Sequence, residues 1–350
     1  MARSLLRCLR LPTRLLAAFL LAAVGGCATP PDSKPDVPLP RLVWPEAPET
    51  TRIEYVRSFS SSKDLGLTKN FLRRVVDLIF GEAPERLVRP SAVLEVGKIV
   101  YVADPGARGV HRFDRGANEY RLIQAEGELP LLSPVGLARG EGDSVYVTDS
   151  ALAGVYLIKA GAEFATRVPL DQAVAQPTGI AFDAQAKRLY VVDTKAHSIK
   201  VFSAQGAYLS SIGQRGEGDG EFNFPTMLWQ DAKGRLLVTD SLNFRTQIFD
   251  AQGKFIKKFG RMGDSLGDAP RQKGVASDSF GHIYLVDALL NGVQIFDESG
   301  QLLLAVGGLG EERGKFWLPA GIFIGGDNTI YVADTYNRRV QVFRYVGGPT

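Results

Sequence analysis

Six aspartates and three histidines are the residues of this sequence whose types and spacing could do chemistry. The aspartates each end a short apolar run, and they follow one another at intervals of 44 to 47 residues: Asp104, Asp149, Asp193, Asp240, Asp287 and Asp334. Facing carboxylates could act as a general acid and base, as in sugar hydrolysis. We favour a structural role, because a carboxylate at the end of a strand accepts N–H bonds from the following turn.

An internal repeat surrounds these aspartates and predicts the elements that position them. Segments such as "VYVTD" (145–149) and "IYVAD" (330–334) end in the aspartate, and an apolar residue stands nine positions beyond it in every repeat. A proline-led strand precedes each segment, and two further strands follow it, separated by turns rich in Gly, Asn and Asp. Four short alternating strands per repeat predict an all-β fold, a six-bladed β-propeller.

The repeats resemble NHL repeats of the TolB-like propeller superfamily. The similarity covers about residues 87–346 and includes a proline–glycine start, "YVAD" and "DTYNRRVQVF". The last repeat stops after its third strand. The strand-like segment "RIEYVRSF", within residues 51–60, aligns with the fourth strands of other repeats. We therefore expect this N-terminal strand to close the ring against the last blade, where unpaired edges would otherwise remain.

The histidines are poorly placed for a metal site, whose ligands must converge on one ion. In the repeat frame His111 lies in a third strand, whereas the loops of His197 and His282 emerge on opposite faces. The glycine-rich runs lack the strand–turn–helix context of a nucleotide-binding loop. No catalytic motif is present, so the sequence predicts no catalytic residues, no metal and no cofactor.

One face of the predicted propeller carries the linkers between blades and the loops that follow the aspartates. Arginines and aromatic residues on such a face suit a protein-binding hot spot. The candidate partner-binding residues are Arg215, Asn243, Arg245, Arg261, Trp317, Asn337 and Arg339. The alternative is that the asparagines and arginines brace the loops, as the repeat pattern implies, and that Phe222, Phe224 and Phe316 belong to the core between blades.

The N-terminus indicates export. Four arginines precede an apolar core of about ten residues, too short to span roughly 30 Å of hydrocarbon as a helix. The sequence "VGGC", ending at Cys27, resembles a bacterial lipobox, which implies a signal peptide over 1–26 and lipid attachment at Cys27. The alternative is an ordinary signal peptide with a chance cysteine. Because Ala28 replaces the aspartate that retains such lipoproteins at the inner membrane, the resemblance implies the outer membrane, facing the periplasm.

Residues 27–50 predict a semi-rigid tether, since they contain seven prolines. Loss of residues 1–26, which hold four arginines and no acidic residue, lowers the formal net charge from +3 to −1. A nearly neutral chain argues against nucleic acid as a partner.

Residues 68–82 predict one inserted amphipathic helix, with Phe71, Val75, Leu78 and Ile79 on one stripe. It either packs on the propeller or docks on a partner or a membrane surface.

Two main functions fit this sequence, and the oligomeric state stays open. The first is a lipid-anchored scaffold whose loop face binds a protein or an envelope component. The second is a lyase or hydrolase with its site at the channel mouth, which would need ionisable groups converging in a deep pocket. A structural spacer in the envelope is a third possibility.

Overall fold

The computed structural model describes residues 40–68, 85–127 and 129–347. The first strands and the first blade comprise β1 (Val43–Trp44), β2 (Ile53–Phe59), β3 (Ala92–Val96), β4 (Ile99–Asp104), β5 (Gly109–Asp114) and β6 (Glu119–Ala125). The second and third blades comprise β7 (Pro134–Arg139), β8 (Val145–Asp149), β9 (Gly154–Ile158), β10 (Phe164–Arg167), β11 (Pro177–Asp183), β12 (Arg188–Asp193), β13 (Ser198–Ser203) and β14 (Tyr208–Ile212).

The second half of the chain continues the same pattern. The fourth and fifth blades comprise β15 (Pro225–Gln230), β16 (Leu236–Asp240), β17 (Arg245–Phe249), β18 (Phe255–Phe259), β19 (Gln272–Ser277), β20 (Ile283–Asp287), β21 (Gly292–Phe296) and β22 (Leu302–Gly307). The sixth blade contains β23 (Ile322–Ile324), β24 (Thr329–Asp334) and β25 (Arg339–Tyr345). Short 3₁₀ turns occur at Lys63–Leu65, Glu141–Asp143, Thr194–Ala196 and Ser241–Asn243.

The inner strands form a closed ring, which makes the fold a β-propeller. Strands β3, β7, β11, β15, β19 and β23 contact one another in that order, and β23 contacts β3 again. Glycine near the start of an inner strand allows this approach: a Cβ on Gly136 would lie 2.2 Å from the carbonyl oxygen of Thr178 in the next blade. The ring thus depends on backbones that come closer than side chains permit.

The N-terminal strand closes the ring as the sequence predicts. Strand β2 pairs antiparallel with β25, from Ile53 opposite Tyr345 to Phe59 opposite Val340. Strand β1 then pairs with β2 as a fifth strand of the same sheet. Ile53 and Phe59 are each only 1% exposed, so the clasp also buries side chains between blades.

The first two blades are joined in a way that the repeat pattern did not predict. Strand β10 pairs in parallel with β6, with Phe164 opposite Gln124 and Ala165 opposite Ala125. The two blades therefore share one eight-stranded sheet through their outer strands. This pairing covers two outer edges that would otherwise be open.

Apolar side chains from neighbouring blades form the core. Phe222 and Phe316, both in linkers, are fully buried and belong to the clusters between blades, as the alternative interpretation of these residues held. The predicted signal peptide, the tether before residue 40 and, apart from Thr68, the predicted helix 68–82 lie outside the described residues. Within the described part, no helix is long and apolar enough to cross a membrane.

Candidate functional site

The six repeated aspartates connect linkers to loops on one face of the ring. All six are 0% exposed. Asp104 Oδ1 accepts N–H bonds from Arg89, just before the inner strand, and from Ala107 in the loop after β4, both at 2.9 Å. Asp287 likewise accepts from the N–H groups of Arg271 (2.9 Å) and Leu289 (2.8 Å). These contacts match the structural role that the sequence favoured.

A residue seven positions beyond the aspartate contacts the same carboxylate in four blades. The side-chain nitrogens of His111, Lys200, Gln247 and Gln341 lie 3.0 to 3.3 Å from Oδ2 of their aspartates. This spacing is visible in the sequence, although it did not enter the prediction. In these four blades the aspartate and the residue seven positions beyond it together hold two adjacent strands.

The surroundings shift the pKa values of two of these buried carboxylates, Asp104 and Asp334, in opposite directions. Burial raises the pKa of Asp104, but bonds from His111 and from the N–H groups of Val88 and Ala107 outweigh it and lower the pKa. Burial also raises the pKa of Asp334, and there it prevails over the bonds from Trp317, Asn337 and Arg339.

Four of the seven candidate partner-binding residues use their polar groups in hydrogen bonds within the propeller. Arg245 donates to Asp240 Oδ2 and to the carbonyl of Glu217, both at 2.8 Å, and also to the carbonyls of Gly218 and Glu221. Asn243 donates to Gly216 O and to Asp240 Oδ2. The equivalent residues of the sixth blade repeat these bonds, with Arg339 and Asn337 on Asp334 and on the carbonyls of residues 310–315. The geometry supports the bracing role for these four.

The other three candidates present exposed side chains. Arg215 is exposed. Arg261 is anchored through Nε to Asp268 Oδ1 at 2.6 Å, yet its side chain is 80% exposed. Trp317 is 42% exposed, and its ring lies 5.7 Å from that of Tyr336.

Phe224, which the alternative interpretation placed in the core, is 37% exposed, so that interpretation is wrong for this residue, and most other exposed apolar side chains on the same face were not predicted. Together with Trp317 they form what we call the apolar arc, over blades four to six: Phe224, Leu242, Met262, Leu266, Leu289, Leu309, Trp317 and Tyr336, each 37% to 75% exposed. The sequence contains a sign of this exposed surface, which appears when equivalent positions of the six repeats are compared. Two positions after the aspartate, blades four to six have Leu242, Leu289 and Tyr336, whereas blades one to three have Gly106, Ala151 and Lys195.

Backbone contacts show that the loops and linkers that carry the arc are neighbours. The loop with Leu242 bonds to the preceding linker at Asn223, and its carbonyl at Phe244 lies against Gly260 of the next linker. The loop with Leu289 bonds to the linkers on both its sides, and the N–H of Tyr336 donates to the carbonyl of Trp317 at 3.1 Å. Loops and linkers thus alternate along a single curved surface.

A cavity of about 190 Å³ lies on the propeller axis and is lined by all six inner strands. Trp229 lies there at a position where the inner strands of blades two, three and five have alanine. Its indole lines this cavity, donates to Ser277 Oγ at 3.0 Å and lies 5.9 Å from the ring of Phe323. Lys273 is the second residue of the inner strand β19. Burial, together with the charge of Arg271, lowers the pKa of Lys273.

The three histidines lie in different blades. His111 contacts Asp104, His197 accepts a bond from the N–H of Phe224, and His282 contacts Asp278. Among the described residues, no group of three or more His, Cys, Asp or Glu side chains is placed to hold a metal ion.

Comparisons with known proteins agree with this architecture. A family model described as a 6-bladed beta-propeller matches residues 177–233, and the NHL repeat model matches residues 316–343. No curated protein matches the chain. The chain is therefore a β-propeller that contains an NHL repeat.

Solved structures with the same fold include proteins of different functions. A virginiamycin B lyase from Staphylococcus aureus matches with a TM-score of 0.55 at 12% identity, covering 74% of this chain and 96% of that chain. A protein of unknown function from Bacteroides thetaiotaomicron matches with a TM-score of 0.59 at 16% identity, over 75% and 70% of the two chains. A nidogen/laminin complex matches with a TM-score of 0.52 at 19% identity, over 70% and 84%. At these identities the similarity establishes the fold alone.

Proposed function

We propose that this protein is a binding module of the cell envelope, and that the apolar arc binds a partner protein. One observation carries the proposal: eight large apolar or aromatic side chains are exposed on neighbouring loops and linkers of blades four to six. Soluble surfaces rarely expose such a cluster without an interaction partner.

The composition of the arc suits a protein partner. Trp317 and Tyr336 supply adjacent aromatic rings at the sixth-blade end of the arc, and aromatic residues dominate the energetics of protein interfaces. Arg215 and Arg261 expose guanidinium groups, while Asp219 and Asp264 expose carboxylates in the same linkers. Positive and negative side chains that flank an apolar centre fit a partner with an apolar ridge and polar margins.

The internal braces explain how this surface keeps its shape without ligand. Arg245 and Arg339 fix the linkers before the fourth and sixth blades through four bonds each. A rigid surface loses little conformational entropy on binding. The arginines at the brace positions therefore support the site without contacting the partner.

The proposed location rests on the sequence of the N-terminus. A lipid on Cys27 and the proline-rich tether would hold the propeller on the outer membrane, facing the periplasm. Mass spectrometry of the mature N-terminal peptide tests this part. An acylated peptide beginning at Cys27 supports it, and an unmodified peptide cleaved elsewhere contradicts it.

The binding proposal is tested by affinity capture of the partner from intact cells after crosslinking. The double variant Leu289→Ser and Tyr336→Ser removes exposed apolar groups from the arc. Its matched control is Leu209→Ser and Ile256→Ser, at similarly exposed positions on the outer strands of the third and fourth blades. We expect the arc variant to lose a captured protein that the control retains. Equal capture by both variants would place the binding surface elsewhere.

A further inference from the structure

A second cavity, of about 510 Å³, lies on the side of the propeller opposite the loop face. It is bounded by the segment between β1 and β2, by the turns at that end of the fifth blade and by the end of β25. We propose that this cavity binds an amphipathic anion, an acyl chain that ends in a carboxylate or a phosphate group. The proposal is independent of partner binding at the apolar arc.

One wall of the cavity is apolar and suits an acyl chain. Leu303 and Leu304 of β22 and Ile295 of β21 face Pro45 and Pro48 across it. Leu303 is 42% exposed although it belongs to a strand of the blade. Binding sites for small molecules have volumes of roughly 300 to 1,000 Å³ and mostly apolar linings with a few polar groups, and this cavity has both properties.

Arg52 gives the cavity a fixed positive charge. Its N–H donates to the carbonyl of Trp44 at 2.7 Å, and its carbonyl accepts from the N–H of Val346 at 2.8 Å, so the backbone at Arg52 is held from both sides. Burial raises the pKa of Tyr345, and the charge of Arg52 beside it acts in the opposite direction. The guanidinium also interacts with the hydroxyl of Tyr345, but within the described residues it forms no salt bridge with a carboxylate.

His282 and Tyr345 add oriented polar groups beside Arg52. The His282 Nδ1 lies 2.7 Å from Asp278 Oδ2, which also accepts from the hydroxyl of Tyr284 at 2.9 Å. This carboxylate orients the imidazole, whose ring lies 5.2 Å from that of Tyr345. Asp278 itself is buried and does not line the cavity.

The combination defines the class of ligand. A purely apolar molecule would leave the Arg52 charge unpaired, and a small polar anion would leave the leucine wall in water. An amphipathic anion satisfies both parts. The carboxylate of Glu49 also lines the cavity, but it is exposed to solvent, which screens its repulsion of an anion.

Direct binding measurements with defined probes test the proposal. Calorimetry would use the chain from residue 27 onward with Cys27→Ser, so that neither a lipid nor the apolar segment of residues 1–26 requires detergent, and three probes: palmitate, monohexadecyl phosphate and the neutral analogue hexadecanol. We expect at least one anion to bind about tenfold or more tightly than hexadecanol, because a hydrogen bond to a charged group is worth roughly that factor. The tighter anion then shows which head group the site prefers.

Variants assign the binding to this cavity. Arg52→Gln should weaken binding of the anion about tenfold and leave binding of hexadecanol unchanged, whereas Arg57→Gln, in the strand that follows Arg52, should change neither. Thr50→Trp places a bulky side chain in the cavity at an exposed position and should abolish binding of the anion without unfolding the protein. Equal affinity for hexadecanol and both anions, unchanged binding in Thr50→Trp, or no binding of either anion would overturn the proposal.

Discussion

Replacing Arg245 should destabilise the propeller strongly, although this residue lies on the face proposed to bind a partner. Its side chain is 8% exposed and pairs with the fully buried carboxylate of Asp240 at 2.8 Å. Arg245→Ala would remove this charge and also the donor for the carbonyls of Glu217, Gly218 and Glu221. The linker before the fourth blade would lose its main side-chain support.

The magnitude follows from the burial of the pair. Removing one partner of a buried ion pair costs about 3–5 kcal/mol, because the remaining charge stays buried without compensation. Here Asn243 and Gln247 still donate to Asp240, which favours the lower part of that range. Such a loss is a large fraction of the roughly 5–15 kcal/mol that stabilises a typical domain.

Urea unfolding of the full chain, followed by tryptophan fluorescence, measures this loss. Arg215→Ala is the matched control, because Arg215 is an exposed arginine in the same linker, and a surface substitution of this kind changes stability by about 0.5 kcal/mol or less. Arg245→Lys should fall between the two, since an ammonium cannot reproduce the planar fork. If Arg245→Ala loses less than about 1 kcal/mol, the bracing role assigned to this arginine is wrong.

Three further changes test the fold. Ile53→Ala in the closing strand should lower the free energy of unfolding in urea by about 2–5 kcal/mol, whereas Val56→Ala, at an exposed position, should lower it by less than about 1 kcal/mol. Equal losses would contradict the role of β2 in closing the ring. Gly213→Ala should cost more than Gly127→Ala, because both have positive φ but only the first would place a Cβ 2.4 Å from a phenylalanine ring; equal losses would refute this packing. The lowered pKa of Asp104 means that its stabilising contribution is present above the ordinary value of 3.8 and is lost as the pH falls below it. Wild type should therefore lose more stability between pH 5 and 3 than Asp104→Asn, and parallel losses would show that Asp104 does not contribute.

The repeat frame was sufficient to predict most of the architecture. The aspartates mark the end of the second strand in each blade, and the missing fourth strand after β25 led directly to β2 as the closing strand. Both follow from strand periodicity and from the need to pair edges. The parallel pairing of β10 with β6 could not be predicted, because "FATR" carries no strong strand pattern and its partner belongs to another blade.

The candidate site was less predictable. An arginine on a loop face suits either a partner or a brace, and the choice depends on where the linker carbonyls lie. For Arg245 those acceptors come from residues 217–221, whose path follows from the whole blade and not from local sequence. The exposure of Leu242, Leu289 and Tyr336 could have been inferred by comparing the same repeat position across the six blades.

Site-specific photocrosslinking in intact cells tests directly whether the apolar arc binds a partner protein. A photoreactive amino acid would replace Leu289 in the apolar arc or, as the control, Leu209 on the outer strand of the third blade; these residues are 54% and 51% exposed. We expect a discrete crosslinked protein at Leu289 that disappears when Trp317 and Tyr336 are changed to serine, and none at Leu209. A crosslinked protein at Leu209 without one at Leu289, or one at Leu289 that persists in the serine variant, would contradict this proposal.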